Sequence, residues 1–243
     1  MTDKYILITG SSRGLGLSMA QELSNAGYNI ILTARDKKNL KTAVKTLNKS
    51  LKHKIIKIDF NSDNLEKKLF KKIKDINVVS IIHNYGLNFE NDDHPINIEK
   101  LESSIYNNFI LSLKINNHMY NKLKGKPSKI IYIGSTASLH AKASPSYTLS
   151  KSLINTYVKN SSKFFLDHNI FICNILPGIL DHKDSVWDKK RINENTKYEY
   201  VKKQQPLERF GLPEDITPYV VDIIKQKSLM MTGSTLKLDA NYY

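Results

Sequence analysis

Cysteine is nearly absent from this chain. Cys173 is the only one, so no internal disulfide can form, which suits a reducing compartment. It stands in the apolar run FICNIL, where it reads as a small buried filler rather than a nucleophile. Long apolar runs are missing as well. None approaches the ~20 residues that a membrane-spanning helix needs, so no membrane span is expected. The opening MTDKYILITG holds no apolar segment with a cleavage site behind it, so no secretion signal is expected and a cytoplasmic location is. Arginine is scarce: Arg13, Arg35, Arg191 and Arg209 are the only four among 37 basic residues. The lysines are scattered over the polar faces of apparent helices, as in LKTAVKTLNKSLKHK and LEKKLFKKIKD. With no aromatic-interleaved basic stripe and no recognisable binding module, the net charge of +14 reads as a solvated surface, and no nucleic-acid partner is expected. Such a surface does favour an anionic substrate or an acidic carrier protein. No metal site is read.

What is present is a globular composition, 40% hydrophobic and 25% charged over 243 residues, enough for one large core. Short β-branched runs recur: YILIT (5–9), YNIILTA (28–34), KIIKIDF (54–60), NVVSIIHN (77–84), KIIYIGS (129–135), NIFICNILPG (169–178) and the last, STLKLD (234–239). Most are nearly continuous rather than alternating, as strands buried on both faces of a parallel sheet are. Between them lie helical spacings, such as Leu17, Ala20, Leu23 and Ser24, then Leu40, Val44 and Leu47. Strand–helix alternation predicts one α/β domain over 1–243, a doubly wound Rossmann-type fold with about seven parallel strands and helices on both faces. No linker, repeat or low-complexity segment divides it.

Two motifs carry the chemistry. ITGSSRGLG follows the first strand and opens the first helix, so Gly10, Gly14 and Gly16 let the backbone approach a ligand and present a helix N-terminus to a diphosphate. SPSYTLSK places Tyr147 and Lys151 four residues apart, on one face of a helix. The TGxxxGxG spacing together with this pair resembles the short-chain dehydrogenase/reductase family, nearest to its 3-oxoacyl-acyl-carrier-protein reductase branch. ERFGLPEDI (208–216) and MTGSTLKLD (231–239) resemble that branch's closing segments, and HNYG (83–86) stands where the family usually has NNAG.

The resemblance implies a nicotinamide dinucleotide held by Gly10, Ser12, Arg13, Gly14, Leu15 and Gly16 of the glycine loop. It adds Asp59 and Phe60 after the third strand, Asn84 and Gly86 after the fourth, and Pro177, Gly178 and Leu180 after the sixth. Charge indicates which dinucleotide. An enzyme selecting NAD tends to place a carboxylate at the end of the second strand. Counting from Gly16 puts Arg35 at that tip, and Arg13 lies within the loop; two guanidinium forks suit a 2′-phosphate, so NADP(H) is expected. Asp36, one residue on, is the competing ribose carboxylate.

By the same resemblance Ser135, Tyr147 and Lys151 form a catalytic set, joined by an asparagine of the helix before the fifth strand. Asn107 and Asn108 both offer themselves, and Asn108 fits the following apolar spacing better. A phenol with a pKa of about 10 is a poor acid at neutral pH. Lys151 is expected to lower that pKa and, with Tyr147, to hold the nicotinamide ribose, while Ser135 bonds the substrate oxygen. Ser138, Ser144 and Ser146 compete for the serine role. The reaction implied is reduction of a ketone, small or carrier-bound, with a 3-oxoacyl thioester on acyl carrier protein the leading substrate. A polar or phosphorylated compound such as a sugar nucleotide, or an NADP(H) sensor without turnover, are the alternatives.

Several positions depart from the family. Tyr85 replaces an alanine and either stacks on the dinucleotide or packs outward, His182 replaces a threonine, and the chain ends DANYY rather than in a glycine pair. The lysine-rich segment 181–205, with Trp187, Tyr198 and Tyr200, is expected to cover the substrate. The resemblance also implies a homo-oligomer, a tetramer or dimer, packed through the helices around 98–124 and 147–167.

Overall fold

Each predicted run of β-branched residues becomes a strand in the computed structural model of the chain, which describes residues 4–60, 62 and 64–241. The strands are β1 (Tyr5–Ile8), β2 (Asn29–Ala34), β3 (Lys54–Lys57), β4 (Val78–His83), β5 (Ser128–Ile133), β6 (Ile170–Pro177) and β7 (Thr235–Leu238). They form one sheet in the order β3-β2-β1-β4-β5-β6-β7, every neighbouring pair parallel. The continuous apolar runs are explained by this placement, since the central strands are covered on both faces: every residue of β1 and of β6 is buried.

Helices α1 (Gly14–Asn25), α2 (Lys37–Val44) and α10 (Pro213–Lys225) pack on one face, where Met19, Leu23, Leu40, Val220 and Ile224 meet Ile6, Ile8 and Ile175. Helices α3 (Leu65–Ile73), α5 (Leu111–Leu123) and α7 (Pro145–Asp167) cover the other, through Leu69, Ile115, Met119, Ile154 and Val158. Cys173 lies in the first of these cores, 1% exposed, and burial pushes its thiol up to about 12; it is filler, as its neighbours suggested.

Strand order reverses between β1 and β4, so the loops leaving their carboxyl ends part and open a crevice. Helix α4 (Ile98–Ile105) runs into α5 through a π-helical turn, Tyr106–Ile110, that buries both Asn107 and Asn108. The remaining helices are α6 (Ala137–His140), α8 (Val186–Asn193) and α9 (Asn195–Lys203), the last two within the segment expected to cover the substrate. Tyr242 and Tyr243 of the DANYY end lie outside the described residues. Among the described residues no helix is long and apolar enough to cross a membrane.

Candidate active site

The crevice is closed at its base by side chains that tie two loops together. Thr9 Oγ1 accepts the backbone N–H groups of Asn84 and Tyr85, each at 3.0 Å. Asn84 Nδ2 donates back to the carbonyls of Thr9 and Gly10, also at 3.0 Å. Helix α1 starts directly above. Gly16 is required there, because a Cβ on it would stand 2.4 Å from Gly10 O and 2.6 Å from Asn84 Nδ2. The result is a cradle of backbone at a helix N-terminus, with buried Leu15 beneath it, half-buried Ser12 at its side and exposed Arg13 at its rim. The ring of His182 also lies against this loop, its Cε1 2.6 Å from where a Gly14 Cβ would be. The histidine standing for the family's threonine therefore faces the cradle rather than solvent.

Parallel strands bring Arg35, Asp59 and Phe60, Asn84 to Gly86, Ser135, and Pro177 to Leu180 to the same edge of the sheet. Hydrogen bonds and stacking bear on two positions that the sequence left open. Asp36 caps α2: its Oδ1 accepts from the N–H groups of Lys38 at 2.6 Å and Asn39 at 3.3 Å. Its Oδ1 has a structural occupation, while the side chain as a whole is exposed, as is that of Arg35 beside it. Tyr85 turns inward. Its ring stacks on Phe60 with centroids 4.1 Å apart, and its hydroxyl donates to Asn107 Oδ1 at 3.2 Å. Burial and the Asp59 carboxylate raise its phenol pKa, and Arg35 opposes them.

At the other side of the crevice, Pro145 occupies the first turn of α7, and Tyr147 and Lys151 follow one helical turn apart. The Tyr147 hydroxyl lies beside Ser135, close enough for the serine to act on its pKa. The competing serines are engaged elsewhere. Ser138 Oγ donates to Ser135 O at 2.7 Å, Ser144 Oγ to Asn88 Oδ1 at 2.7 Å, and Ser146 Oγ to Asp92 Oδ1 at 3.0 Å. Lys151 is 4% exposed and its Nζ donates to Ile133 O at 2.9 Å. The ammonium is also aimed at Gly86, where a Cβ would come within 3.3 Å of it and 2.7 Å of Asn108 Oδ1.

Burial raises the Tyr147 pKa, opposite to the lowering expected from Lys151, and Ser135 is what pulls against that rise. The Lys151 Nζ is 5.7 Å from the phenol ring centroid and points to a carbonyl, and burial brings its own pKa down to about 8. Desolvation is the largest influence on both members of the pair.

Neither asparagine turns its amide to Lys151. Asn107 accepts from Tyr85 and donates to Ser103 O at 2.9 Å. Asn108 pairs with both the N–H and the C=O of Leu87 at 2.8 Å, and donates to Ser104 and Ser150 hydroxyls at 3.0 Å. The π-turn places both beside a cavity of about 10 Å³, room for one water, that is also lined by Lys151, Thr9 and His83. His83 escaped the sequence reading. Its Nε2 lies 2.8 Å from Asn116 Oδ1, and Asn116 Nδ2 donates to the Tyr132 hydroxyl at 2.9 Å. The ring must therefore carry its proton on Nε2.

The segment 181–205 is anchored rather than loose. Tyr198 donates to Asp181 Oδ2 at 2.7 Å, Ser185 Oγ caps α8 by accepting from Asp188 N at 2.9 Å, and Trp187 and Tyr198 both pack on Phe210, centroids 4.7 and 5.0 Å away. Tyr200 is exposed. Asp181 and Ser185 carry no motif that the sequence could reveal, and Phe210 lies inside ERFGLPEDI with nothing there to mark it as a packing partner.

A sequence profile described as short chain dehydrogenase matches residues 4–192. L-xylulose reductase of Caenorhabditis elegans is 26% identical over 250 residues, spanning 99% of this chain and 96% of that protein. A 3-oxoacyl-acyl-carrier-protein reductase of Rickettsia typhi is 27% identical over 246 residues, spanning 98% and 96%. Among solved structures, an oxidoreductase of the short chain dehydrogenase/reductase family from Burkholderia thailandensis is similar with a TM-score of 0.89 at 18% identity, covering 100% of this chain and 93% of that one. With a profile match over most of its length and that family's fold, the chain belongs to the short-chain dehydrogenase family of nicotinamide-dependent oxidoreductases.

Proposed function

We propose that the protein is an NADPH-dependent reductase that converts a ketone to a secondary alcohol, with Tyr147 as proton donor. The observation that carries this is the Tyr147 hydroxyl beside Ser135, one helical turn from a buried ammonium that faces the crevice. The backbone turn at Gly10–Gly16 presents the N-terminus of α1, which suits a diphosphate, and its close packing depends on Gly16, where a side chain would collide with Gly10 O and Asn84 Nδ2. Exposed Arg13 and Arg35 suit a 2′-phosphate, while Asp36 gives its Oδ1 to its helix cap. The dinucleotide supplies the hydride. Ser135 holds the carbonyl oxygen, Tyr147 gives it a proton, and Lys151, about nine-tenths cationic at pH 7 with a pKa near 8, stabilises the phenolate left behind and binds the adjoining ribose.

A 3-oxoacyl thioester on an acidic acyl carrier protein is the favoured substrate, supported by the +14 charge and by the likeness to the Rickettsia typhi reductase. The likeness to an L-xylulose reductase favours a polar hydroxyketone as the second reading. Exposed Leu149, Leu153, Phe164 and Leu166 along α7 support a homo-oligomer through that helix. Consumption of NADPH with acetoacetyl-pantetheine, set beside L-xylulose and sugar nucleotides, tests the substrate. Tyr147→Phe tests the mechanism, with an expected loss in kcat of about 10²–10⁴-fold. A Tyr147→Phe protein with undiminished turnover would refute it.

A further inference from the structure

Beyond Asn84 to Gly86, the loop from β4 to α4 has no part in the chemistry just described, yet it buries an acid. Asp92 is 7% exposed. Its Oδ2 accepts the backbone N–H of Ser146 at 2.9 Å, and its Oδ1 accepts the Ser146 hydroxyl at 3.0 Å. The first turn of α7 needs such a partner. Pro145 has no N–H to offer, and Ser144 before it makes no side-chain cap. The first N–H of the helix is therefore that of Ser146, and its acceptor is a carboxylate 54 residues earlier in the chain, at the positive end of the helix dipole. Tyr147 is the next residue.

The same loop also holds the other side of Pro145, through the Ser144 hydroxyl on Asn88 Oδ1 at 2.7 Å. The loop is itself fastened. Asn108 pairs with both polar atoms of Leu87, and Lys100 Nζ donates to the carbonyls of Glu90 and Asn91 at 3.2 and 2.7 Å. Lys151, a turn further on, has its own tether to Ile133 O. Removing the Asp92 carboxylate thus loosens Tyr147 against Ser135 and leaves the lysine where it is.

We propose that Asp92 is a positioning residue for the reduction, holding the start of α7 so that the Tyr147 hydroxyl meets Ser135. The inference rests on the reading of Tyr147 as proton donor. It is tested in the full chain with Asp92→Ala, Asp92→Asn, Ser146→Ala and, alongside, Tyr147→Phe. The measurements are kcat, KM for the ketone, the NADPH Kd by calorimetry, and the solvent deuterium isotope effect on kcat. An ångström of misplacement at a reacting group costs up to about 10²-fold. Asp92→Ala is accordingly expected to lower kcat by about 10–10²-fold and to raise the solvent isotope effect, as proton transfer slows, with the NADPH Kd within about twofold of wild type. Ser146→Ala keeps the N–H bond to Asp92 and stays within about threefold in kcat. Asp92→Asn is the conservative control: its Oδ1 can still accept the Ser146 N–H and its Nδ2 can donate to the Ser146 hydroxyl, so its kcat should stay closer to wild type than that of Asp92→Ala. If Asp92→Ala does not fold, Asp92→Val, which offers no acceptor and leaves less of a void, takes its place. Wild-type kcat and isotope effect in whichever of Asp92→Ala and Asp92→Val folds, beside an inactive Tyr147→Phe, overturn the positioning role alone. A Tyr147→Phe enzyme that still turns over overturns the donor reading instead.

Discussion

Replacing Lys151 with methionine should make the protein inactive and more stable at once. Burial brings the ammonium from its ordinary 10.5 to about 8, a drop of about 2.5 that is worth about 3 kcal/mol. At pH 7, below both values, the lysine is charged in folded and unfolded chains alike, so the fold carries the whole cost of that buried charge. Between pH 8 and 10.5 the unfolded chain still holds a proton that the folded one has released, so stability rises with pH across this window. Methionine fills a similar volume without charge. It forfeits the bond to Ile133 O, which leaves that carbonyl short of a partner at a cost of about 1–2 kcal/mol. The net expectation at pH 7 is a gain of about 1–2 kcal/mol for Lys151→Met. Urea unfolding at one protomer concentration, at pH 7 and pH 10, measures it. By pH 10 the wild-type protein should have recovered about 2 kcal/mol relative to the variant, closing or reversing the gap. A variant less stable than wild type at pH 7, or a gap unchanged at pH 10, would contradict this account of the buried ammonium.

His83 makes the opposite window. Burial takes its pKa from 6.5 down to about 4, with the Asn116 hydrogen bond resisting, so as pH falls from 6.5 to 4 the unfolded chain binds the proton first and about 3 kcal/mol of stability is lost. His83→Gln should flatten the stability–pH slope in that range, and parallel slopes for the two proteins would show that the ring titrates normally. Arg35→Asp should weaken NADPH binding by on the order of 1–3 kcal/mol, because charge-assisted bonds are lost. Asp36→Ala should leave the ratio of NADPH to NADH affinity alone and cost about 1 kcal/mol of stability through the lost α2 cap. Calorimetric titration of both variants checks the pair, and a larger effect on dinucleotide choice at Asp36 would reverse the assignment.

The parts of this molecule that follow local rules were legible beforehand. The apolar runs became the strands, most plainly at the centre of the sheet, where burial on both faces writes itself into consecutive residues, and the TGxxxGxG turn marked the crevice because only glycine admits such close backbone contact. Tyr147 and Lys151 drew notice by their spacing, and the resemblance to the family gave them their expected roles. Geometry adds what spacing could not. Asp36 and Arg35 are adjacent in sequence, and only the structure shows that Asp36 caps α2. Ser146 looked like a rival of Ser135 until Asp92 claimed it from 54 residues away. The aromatics of 181–205 read as a pocket lining, but Trp187 and Tyr198 grip Phe210, a contact with no periodicity to announce it. The acidifying effect expected of Lys151 leaves out burial, which raises the phenol's pKa and lowers the ammonium's, and no sequence states how much water surrounds a charge.

Trp187 is the chain's only tryptophan, and its ring rests on Phe210 at the foot of α8. All indole emission from this protein therefore originates at the start of α8. Any shift of α8 against Phe210 is optically visible without a label, and a reduced nicotinamide arriving nearby would quench that light by energy transfer.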